Sequence, residues 1–441
     1  MTVFPQPKKL IWKGVRTLGQ CAKQERQVGP LPETSPSEFP QPRFRALLVL
    51  FVLCLAALAQ SSGEAPAPLL NQGHPVNWWF VFKFNSGALP ECGGGAKRLC
   101  AFGGSVQAYK SFGQQFAFAS SASPKLQQGS GCVGDTTTDP LGATFDQIYN
   151  GKLFYVVWND QFYGDPMNSK AAPAGHSKGA LAWDQDGNGV VLQVSTPSWP
   201  ASGNSKNPRK NDGNTLGCVT DDNVLVSQHF FALRLNKEDL IVVLKALGNA
   251  SVVTDPDLPQ IVNNGGPPDV QELVKGLGQN STSTTATSVK LSTGVVLISK
   301  PSRLQVPPWQ MVSALLEGEP LRVASWWTAP KIPSTAATTK VGCWDDVLGK
   351  PGAVEIAKTG TWDGKPIGLL GLVNPKGNHA KLGVSTGTHA YTIFGDMNQQ
   401  GALAPPNCDS SQNGRGGLFY VVQDQTLTES VRELLKGDTA P

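Results

Sequence analysis

Glycine and proline recur throughout this chain, and their abundance is what most restricts its fold. Of the 441 residues, 48 are glycine and 34 are proline. Both residue types end helices and shape turns, so this excess disfavours a helical bundle and favours short strands joined by many turns. Apolar residues make up 40% of the chain, which is enough for a substantial core. One large domain or two halves is the expected organisation.

The hydrophobic pattern predicts a mixture of strands and helices. Aromatic and β-branched runs indicate buried strands at Val76–Phe84 and Leu153–Trp158, and hairpins at Ala180–Val194 and Ser288–Ser299. Four helices are predicted, at Asn236–Leu247, Asp269–Leu277, Pro308–Glu317 and Thr428–Lys436. Because strands and helices alternate, the expected fold class is α/β, in a mixed α+β form.

The first 60 residues are typical of a targeting segment. Arg43–Arg45 precedes an apolar run of 14 residues, Ala46–Ala59, which ends in a small-x-small cleavage pattern. A membrane span needs about 20 residues, so the run is better suited to a signal peptide. We predict a polar, disordered tail at 1–42 and a signal peptide at 43–60, with an uncleaved signal-anchor as the alternative. The expected destination is the secretory pathway, in a lysosome or outside the cell.

The charge of the chain is unevenly distributed. Residues 1–45 hold eight of the 37 basic residues and three of the 33 acidic residues, which leaves the remainder at about −1. Bulk charge at neutral pH therefore gives no argument for nucleic-acid binding. At pH 5 the five histidines would be largely protonated and some carboxylates neutral, so the same domain would become positive.

Cysteine usage is consistent with a secreted chain. Six cysteines follow the apolar run, and none is part of a CxxC pair or a zinc-ligand spacing: Cys92, Cys100, Cys132, Cys218, Cys343 and Cys408. Two sequons, Asn249–Ser251 and Asn280–Thr282, are acceptors for N-glycosylation in such a chain.

One segment imitates a calcium site. Asp184–Gly189 matches the opening of a calcium-binding loop, but position 12, which should be glutamate, is Ser195. The flanking sequence is strand-like, so a polar hairpin turn explains the segment better. There is also no HExxH pattern and no histidine–aspartate cluster at ligand spacing, and we predict neither a metal nor a cofactor.

Two of the five histidines carry a lysine two residues later. The pairs are His176 with Lys178 and His379 with Lys381. On a strand, residues i and i+2 point to the same face, so each pair presents an imidazole beside an ammonium group. This combination suits a phosphodiester, since lysine can neutralise a phosphate oxygen while histidine attacks phosphorus or protonates the leaving oxygen. The alternative is two exposed segments on unrelated strands.

The residues around both motifs resemble the deoxyribonuclease II family of the phospholipase D-like superfamily. The matching segments follow the order of the family across about residues 75–430: Val76–Lys83 (VNWWFVFK), Trp158–Gln161 (WNDQ), Gly175–Gly179 (GHSKG) with Asp184–Gly187, Gly213–Val219 (GNTLGCV) and Gly395–Gln399 (GDMNQ). The resemblance implies two pseudo-symmetric halves, about 75–235 and 285–436 within a domain at 61–441. Each half would be a sheet flanked by helices, and the halves would share one active site.

The same resemblance implies a function and a set of site residues. Members of the family are metal-independent acid endonucleases that cut DNA to 3′-phosphate and 5′-hydroxyl ends, and a phosphohistidine intermediate is expected. His176, Lys178, His379 and Lys381 match the two catalytic motifs. The residues expected to bind the substrate phosphate are Asn398, Ser195 and Asn159, with Ser195 or Gln193 standing where animal relatives have an additional histidine. A disulfide between Cys343 and Cys408 is also expected.

Two other functions compete with a deoxyribonuclease. One is a phospholipase D-like enzyme that uses the same histidines on lipid or another phosphodiester. The other is a non-catalytic secreted binding protein in which tryptophans form the site. The pairs Trp78–Trp79 and Trp326–Trp327 could stack on bases, although burial is the expected fate of most tryptophans. DNA is the expected partner, without a stable protein partner, and with membrane contact only if residues 46–59 stay uncleaved.

Overall fold

A computed structural model of the chain describes residues 65–90, 115–134, 136–197, 199–200, 203–207 and 225–441, together with the backbone of two short strands at 98–99 and 105–106. Residues Glu64–Pro441 cluster into one unit. The predicted tail at 1–42, the predicted signal segment at 43–60 and the motif Gly213–Val219 lie outside the described residues. Within the described part, no helix combines the length and the apolar character required to cross a bilayer.

The first sheet is built from residues 78–263. The strands in this part of the chain are β1 (Trp78–Lys83), β2 (Arg98–Leu99), β3 (Ser105–Val106), β4 (Phe116–Ser120), β5 (Ser123–Gln128), β6 (Phe154–Asn159), β7 (Lys178–Trp183), β8 (Gly189–Val194), β9 (Gln228–Leu235) and β10 (Val262–Asn263). Eight of them form an antiparallel sheet in the order β10-β6-β7-β8-β9-β1-β4-β5, while β2 pairs with β3.

The second sheet is built from residues 287–423. Its part of the chain contains β11 (Thr287–Lys290), β12 (Val296–Lys300), β13 (Leu321–Ala324), β14 (Val354–Ile356), β15 (Thr359–Trp362), β16 (Lys365–Gly368), β17 (Leu382–Ser385), β18 (Tyr391–Gly395) and β19 (Gly417–Gln423). Seven strands follow the order β11-β12-β19-β18-β17-β13-β14, in which β13 and β14 are parallel and the other pairs antiparallel. Strands β15 and β16 form a separate hairpin.

Strand connectivity is the same in the centre of both sheets. In the first sheet five neighbouring strands lie in the order β6-β7-β8-β9-β1, and in the second sheet five lie in the order β13-β17-β18-β19-β12. In both sets the strand that comes first along the chain, β1 or β12, lies last in this order, and the other four follow in chain order. All pairs within both sets are antiparallel. One HxK motif enters β7 and the other immediately precedes β17, so the two motifs occupy corresponding places.

In the part of the chain that the structure describes, five α-helices accompany the sheets: α1 (Pro140–Tyr149), α2 (Lys237–Asn249), α3 (Pro268–Lys275), α4 (Pro308–Leu315) and α5 (Gln425–Leu434). Short 3₁₀ turns lie at Ser302–Leu304, Asp346–Leu348 and Ser411–Gly414. The four predicted helices are confirmed as α2 to α5, and the mixed α/β class is confirmed as well. Helix α1 was not predicted, because Pro140 and Gly142 in its first turn are poor helix formers. Asp139 is the N-cap residue of this helix, and its side chain accepts a hydrogen bond from the Gly142 amide.

The two sheets pack face to face through an aromatic core. Phe394 of β18 lies 4.6 Å from Phe80 of β1 and 4.4 Å from Phe231 of β9, measured between ring centroids. Phe231 also lies 5.5 Å from Tyr420 of β19. All four rings are fully buried. This core brings the central strands of the sheets together, and with them the segments that carry the HxK motifs.

Two predictions about turns and cross-links are confirmed. Cys343 and Cys408 form a disulfide across a separation of 65 residues, and Cys132 is also disulfide-bonded. The segment that imitates a calcium loop is the β7–β8 turn, where Asp184 Oδ1 accepts hydrogen bonds from the amides of Asp186 and Asn188. The aspartate therefore organises the hairpin.

Most tryptophans are buried, as expected. Those with less than a tenth of their surface exposed are Trp78, Trp79, Trp158, Trp183, Trp199, Trp309 and Trp327. Trp326 is the exception that matters, because it is partly exposed and faces a cleft.

Candidate active site

A cleft of about 480 Å³ contains residues from both HxK motifs. Its lining comprises Asp160, Gln161, Ser169, Lys170, Ala171, His176, Trp326, His379, Lys381, Asn398, Gln400, Gln412 and Arg415. His176 and His379 are each only 8% exposed. The two motifs are 203 positions apart in the sequence, and the packing of the two sheets brings both histidines into one cleft.

His176 is held in one tautomer by the second sheet. Its backbone N–H donates to the carbonyl oxygen of Gly416 at 2.8 Å, and its Nδ1 lies 2.7 Å from the carbonyl oxygen of Asp396. A carbonyl oxygen can only accept, so Nδ1 carries the proton and Nε2 keeps a lone pair. Burial lowers the pKa of His176 well below its usual value, and the charge of Lys178 acts in the same direction. The imidazole is therefore neutral near pH 7.

Lys178 is the first residue of β7 and belongs to a buried ionic cluster. Its Nζ lies 2.6 Å from Asp160 Oδ1, and Arg415 Nη1 lies 3.0 Å from Asp160 Oδ2. Burial alone would raise the pKa of the Asp160 carboxyl, but the neighbouring cations, Lys178 foremost, hold it well below its usual range. Asp160 therefore stays ionised and fixes the position of the lysine.

The second motif is held by contacts of a different kind. The His379 backbone N–H donates to the Ser227 carbonyl oxygen at 2.7 Å, and Lys381 Nζ donates to the His379 carbonyl oxygen at 2.5 Å. Trp326 meets the His379 ring edge-on, with 4.1 Å between ring centroids. Within the described part of the chain, His379 Nδ1 has no hydrogen-bond partner. Packing against Trp326 therefore helps to orient this imidazole.

His379 is also kept neutral. Burial lowers its pKa well below the usual value, and Lys381 and Lys178 lower it further. Each histidine therefore resists protonation until the pH is acidic. Protonating one of them also makes protonation of the other harder, because like charges in one cleft repel.

The three residues predicted to bind phosphate occupy different environments. Asn398 lines the cleft, whereas Ser195 and Asn159 are not among its lining residues. Ser195 Oγ donates to Gln228 Oε1 at 2.6 Å, and Asn159 Nδ2 donates to the Trp199 carbonyl oxygen at 3.1 Å. The structure therefore does not bring Ser195 and Asn159 to the cleft, and their polar groups are used to fix neighbouring strands and loops.

Gln193, the other polar candidate of the first motif, joins the two sheets. Its Nε2 donates to Asp396 Oδ1 at 3.1 Å, and Asp396 Oδ2 accepts from the Leu418 amide at 2.9 Å. Burial raises the pKa of Asp396 to about 7. Because the carbonyl of the same residue orients His176, these bonds help to set the position of the imidazole.

Sequence reasoning missed several residues of this site. Asp160 lies within the WNDQ segment, and its place directly after a strand that precedes the first motif was an available signal. Arg415 gave no comparable signal, because it lies in an irregular Gly- and Asn-rich loop, and Trp326 was named only as part of a tryptophan pair that could stack on bases. His229 was also missed; its Nδ1 accepts from the Lys381 amide at 3.1 Å.

The charges of the cleft favour an anion. Lys381, Arg415 and Lys170 line it, against the single carboxylate of Asp160, which is already paired with Lys178. Among the residues that the structure describes, no group of three or more histidine, cysteine, aspartate or glutamate side chains could hold a metal ion. The arrangement offers two imidazoles and a surplus of fixed positive charge to a bound phosphate group.

Comparison with known proteins gives a consistent result. A family model described as deoxyribonuclease II matches residues 68–438. Plancitoxin-1 of Acanthaster planci is 29% identical over 180 residues, which is 39% of this chain and 45% of that protein. Deoxyribonuclease-2-alpha of Rattus norvegicus is 29% identical over 177 residues (38% and 45%), and that of Mus musculus is 30% identical over 159 residues (35% and 39%). The matched stretches span less than half the length of these relatives.

Proposed function

The chain belongs to the deoxyribonuclease II family, and from that membership we propose that it is an acid endonuclease that hydrolyses the phosphodiester bonds of DNA in a lysosome or outside the cell. The observation that carries the proposal is the meeting of His176 and His379 in one cleft lined by lysine and arginine. The shared strand order of the two sheets supports two related halves, about 75–235 and 285–436, each contributing one motif.

The first chemical step forms a covalent intermediate. His176 is the nucleophile, because the Asp396 carbonyl holds its proton on Nδ1 and leaves the Nε2 lone pair available. Nε2 attacks phosphorus, the P–N bond forms, and the bond between phosphorus and the 5′-oxygen breaks. Protonated His379 donates its proton to that oxygen, which leaves as a 5′-hydroxyl.

The second step regenerates the enzyme. His379, now neutral, accepts a proton from a water molecule, whose oxygen attacks phosphorus while the P–N bond breaks. The strand is released with a 3′-phosphate, and His176 returns to its starting tautomer. Lys381 and Asn398, which line the cleft, stabilise the phosphate oxygens, while Lys178 fixes the electrostatics of the first motif from its ion pair with Asp160.

A plasmid assay in EDTA tests this function. We expect supercoiled plasmid at pH 5 to be nicked and then linearised at a rate that EDTA leaves nearly unchanged, because lysine and imidazolium supply the charge that Mg²⁺ otherwise brings to phosphoryl transfer. The new ends should resist extension by a polymerase until a phosphatase removes the 3′-phosphate.

The same assay separates the competing functions. Activity lost in EDTA and restored by Mg²⁺ or Ca²⁺ would contradict the mechanism. Intact plasmid together with hydrolysis of a phospholipid would favour the lipid phosphodiesterase, and no turnover of either substrate would favour a binding protein.

Trapping the intermediate tests the assigned roles. With thymidine 3′-(p-nitrophenyl phosphate), the leaving group needs no proton, so His379→Ala should still complete the first step and then stall. We expect a burst of about one nitrophenolate per enzyme, with the nucleotide label on His176 when peptides are mapped at alkaline pH. His389 is outside the cleft lining, so the control variant His389→Ala should release nitrophenolate continuously. A label on His379 in His176→Ala would reverse the two roles.

A further inference from the structure

The segment that carries His176 is anchored by an arginine that lies two residues before β19 of the second sheet. Arg415 Nε donates to the Ala174 carbonyl oxygen at 2.9 Å, and its Nη2 donates to the carbonyl oxygens of Lys170 at 2.9 Å and Gly175 at 2.8 Å. These three carbonyls belong to the loop that immediately precedes the first catalytic motif. The loop therefore relies on a residue more than 200 positions away for much of its hydrogen bonding.

The same guanidinium group reaches the lysine of the motif through a carboxylate. Arg415 Nη1 lies 3.0 Å from Asp160 Oδ2, and Asp160 Oδ1 lies 2.6 Å from Lys178 Nζ. The arginine side chain is only 11% exposed and that of Asp160 is 2% exposed, so water does little to weaken the pair. One planar group thus fixes both the approach to His176 and the position of Lys178.

The backbone of Arg415 is itself held in place. Lys300, fully buried at the end of β12, donates through Nζ to the carbonyl oxygens of Arg415 at 2.9 Å and Asn413 at 2.8 Å. Gly416 packs so closely that a Cβ atom there would lie 2.1 Å from the Ala250 carbonyl oxygen. The segment cannot shift freely, and the guanidinium is presented from a fixed base.

We propose that Arg415 is a positioning residue for the first motif, which makes the reactivity of His176 depend on the second sheet. The inference rests on the proposed function and deepens it. Arginine is suited to this place because its planar fork can serve diverging carbonyls and a carboxylate together, whereas a lysine ammonium cannot. Loss of the fork should displace His176 from its place, and a misplacement of about 1 Å costs roughly 100-fold in rate.

The test compares Arg415→Ala with a matched variant, Arg322→Ala. Arg322 is equally buried, with 11% of its side chain exposed, and it lies outside the cleft lining. Its guanidinium donates to the carbonyls of Leu435, Gly437 and Asp438 and pairs with Glu355. The two variants therefore lose the same kind of contacts, one at the motif and one away from it.

On plasmid or a dinucleotide substrate, we expect Arg415→Ala to lose about 100-fold in kcat with a KM within about threefold of the parent enzyme. Methylguanidine should restore part of that kcat, and Arg415→Lys should not. Arg322→Ala should be destabilised but keep kcat within about twofold, with no response to methylguanidine.

A measurement on the histidine separates this inference from the function. In ¹⁵N spectra of labelled protein at pH 7, the parent and Arg322→Ala should show His176 in the single tautomer protonated at Nδ1. Arg415→Ala should show a mixture of tautomers, because the carbonyl of Asp396 no longer meets the ring in one orientation. An unchanged kcat and a single tautomer in Arg415→Ala would overturn the positioning role, as would a raised KM at unchanged kcat. A parent enzyme that leaves DNA intact while the tautomer change occurs would overturn the function and leave the positioning role in place.

Discussion

Replacing His176 or His379 by alanine is expected to abolish plasmid cleavage, with a loss of about 1,000-fold or more in each single variant. In the proposed mechanism the two imidazoles have different tasks, since one forms the bond to phosphorus and the other delivers and removes the proton. Neither can perform the other's task from its own side of the phosphate. The loss should therefore be nearly as large in each single variant as in the double variant.

The fold should survive both substitutions. His176→Ala removes one side-chain hydrogen bond, to the Asp396 carbonyl, and His379→Ala removes one packed ring contact, with Trp326. A single hydrogen bond contributes about 1 kcal/mol to stability. We expect melting temperatures within a few degrees of the parent, measured by circular dichroism alongside the initial rates.

A third histidine provides the control. His389 lies outside the cleft lining, with its Nδ1 2.8 Å from Glu319 Oε2, so His389→Ala should cleave plasmid at close to the parental rate. If either cleft variant keeps a tenth of the parental activity, the hypothesis of one site shared by two histidines is wrong.

Regular elements were predictable because their patterns are local. The aromatic and β-branched run at Val76–Phe84 predicts a buried strand wherever it lies, and β1 is fully buried. The repetition of histidine and lysine at spacing two was also visible without a structure. Helix α1 was hidden because Asp139 and the contacts of the buried helix stabilise a first turn whose own residues disfavour it.

The parts of the site that escaped prediction depend on contacts between distant segments. Arg415 donates to the carbonyl oxygen of Lys170, and Trp326, for which the sequence suggested only base stacking, meets the ring of His379 edge-on. No pattern of neighbouring residues in the sequence predicts such contacts between distant segments. Ser195 was expected at the phosphate because of its sequence position, but the pairing of β8 with β9 directs its hydroxyl to Gln228.

Cleavage is expected to have a bell-shaped pH profile centred between about pH 4.5 and 6. The proposed mechanism needs one neutral and one protonated histidine. Burial and the neighbouring lysines hold the pKa of both His176 and His379 well below the usual value, so near neutral pH both are neutral and no acid is available. As the pH falls, one proton enters the pair, and a bound phosphate favours this singly protonated form. Further acidification protonates the nucleophile and ends the reaction.

Stability responds to acid with two opposing contributions. A histidine whose pKa is lowered in the folded state binds fewer protons than in the unfolded state, so His176, His379 and His229 reduce stability as the pH falls below about 6.5. Burial raises the pKa of Asp139 to about 6 and of Asp396 to about 7. These two carboxyls bind more protons in the folded state than in the unfolded state. Their contribution to the free energy of unfolding therefore grows as the pH falls from 7 to 4 and is lost as the pH rises again. In the acidic pH range where cleavage is expected, this gain offsets part of the stability that is lost through the three histidines.

DNA binding should shift the optimum in the same direction as the chemistry. The chain after residue 45 carries about −1 at pH 7, so its attraction for a polyanion, to which the lysine and arginine side chains of the cleft already contribute, grows as the histidine pair gains a proton and carboxylates lose their charge. Binding measured by fluorescence anisotropy should therefore tighten from pH 7.5 to pH 5 and weaken steeply as salt is added, because bound cations are released from the DNA. Initial rates on supercoiled plasmid from pH 4 to 9 in EDTA, at substrate concentrations above and below KM, separate the two effects. The rate at saturating substrate depends on the protonation of the histidine pair alone. The rate at low substrate depends on the affinity for DNA as well. A maximum above pH 7.5 under both conditions would contradict the assignment of the two histidines, since neither could then supply the proton that the leaving oxygen requires.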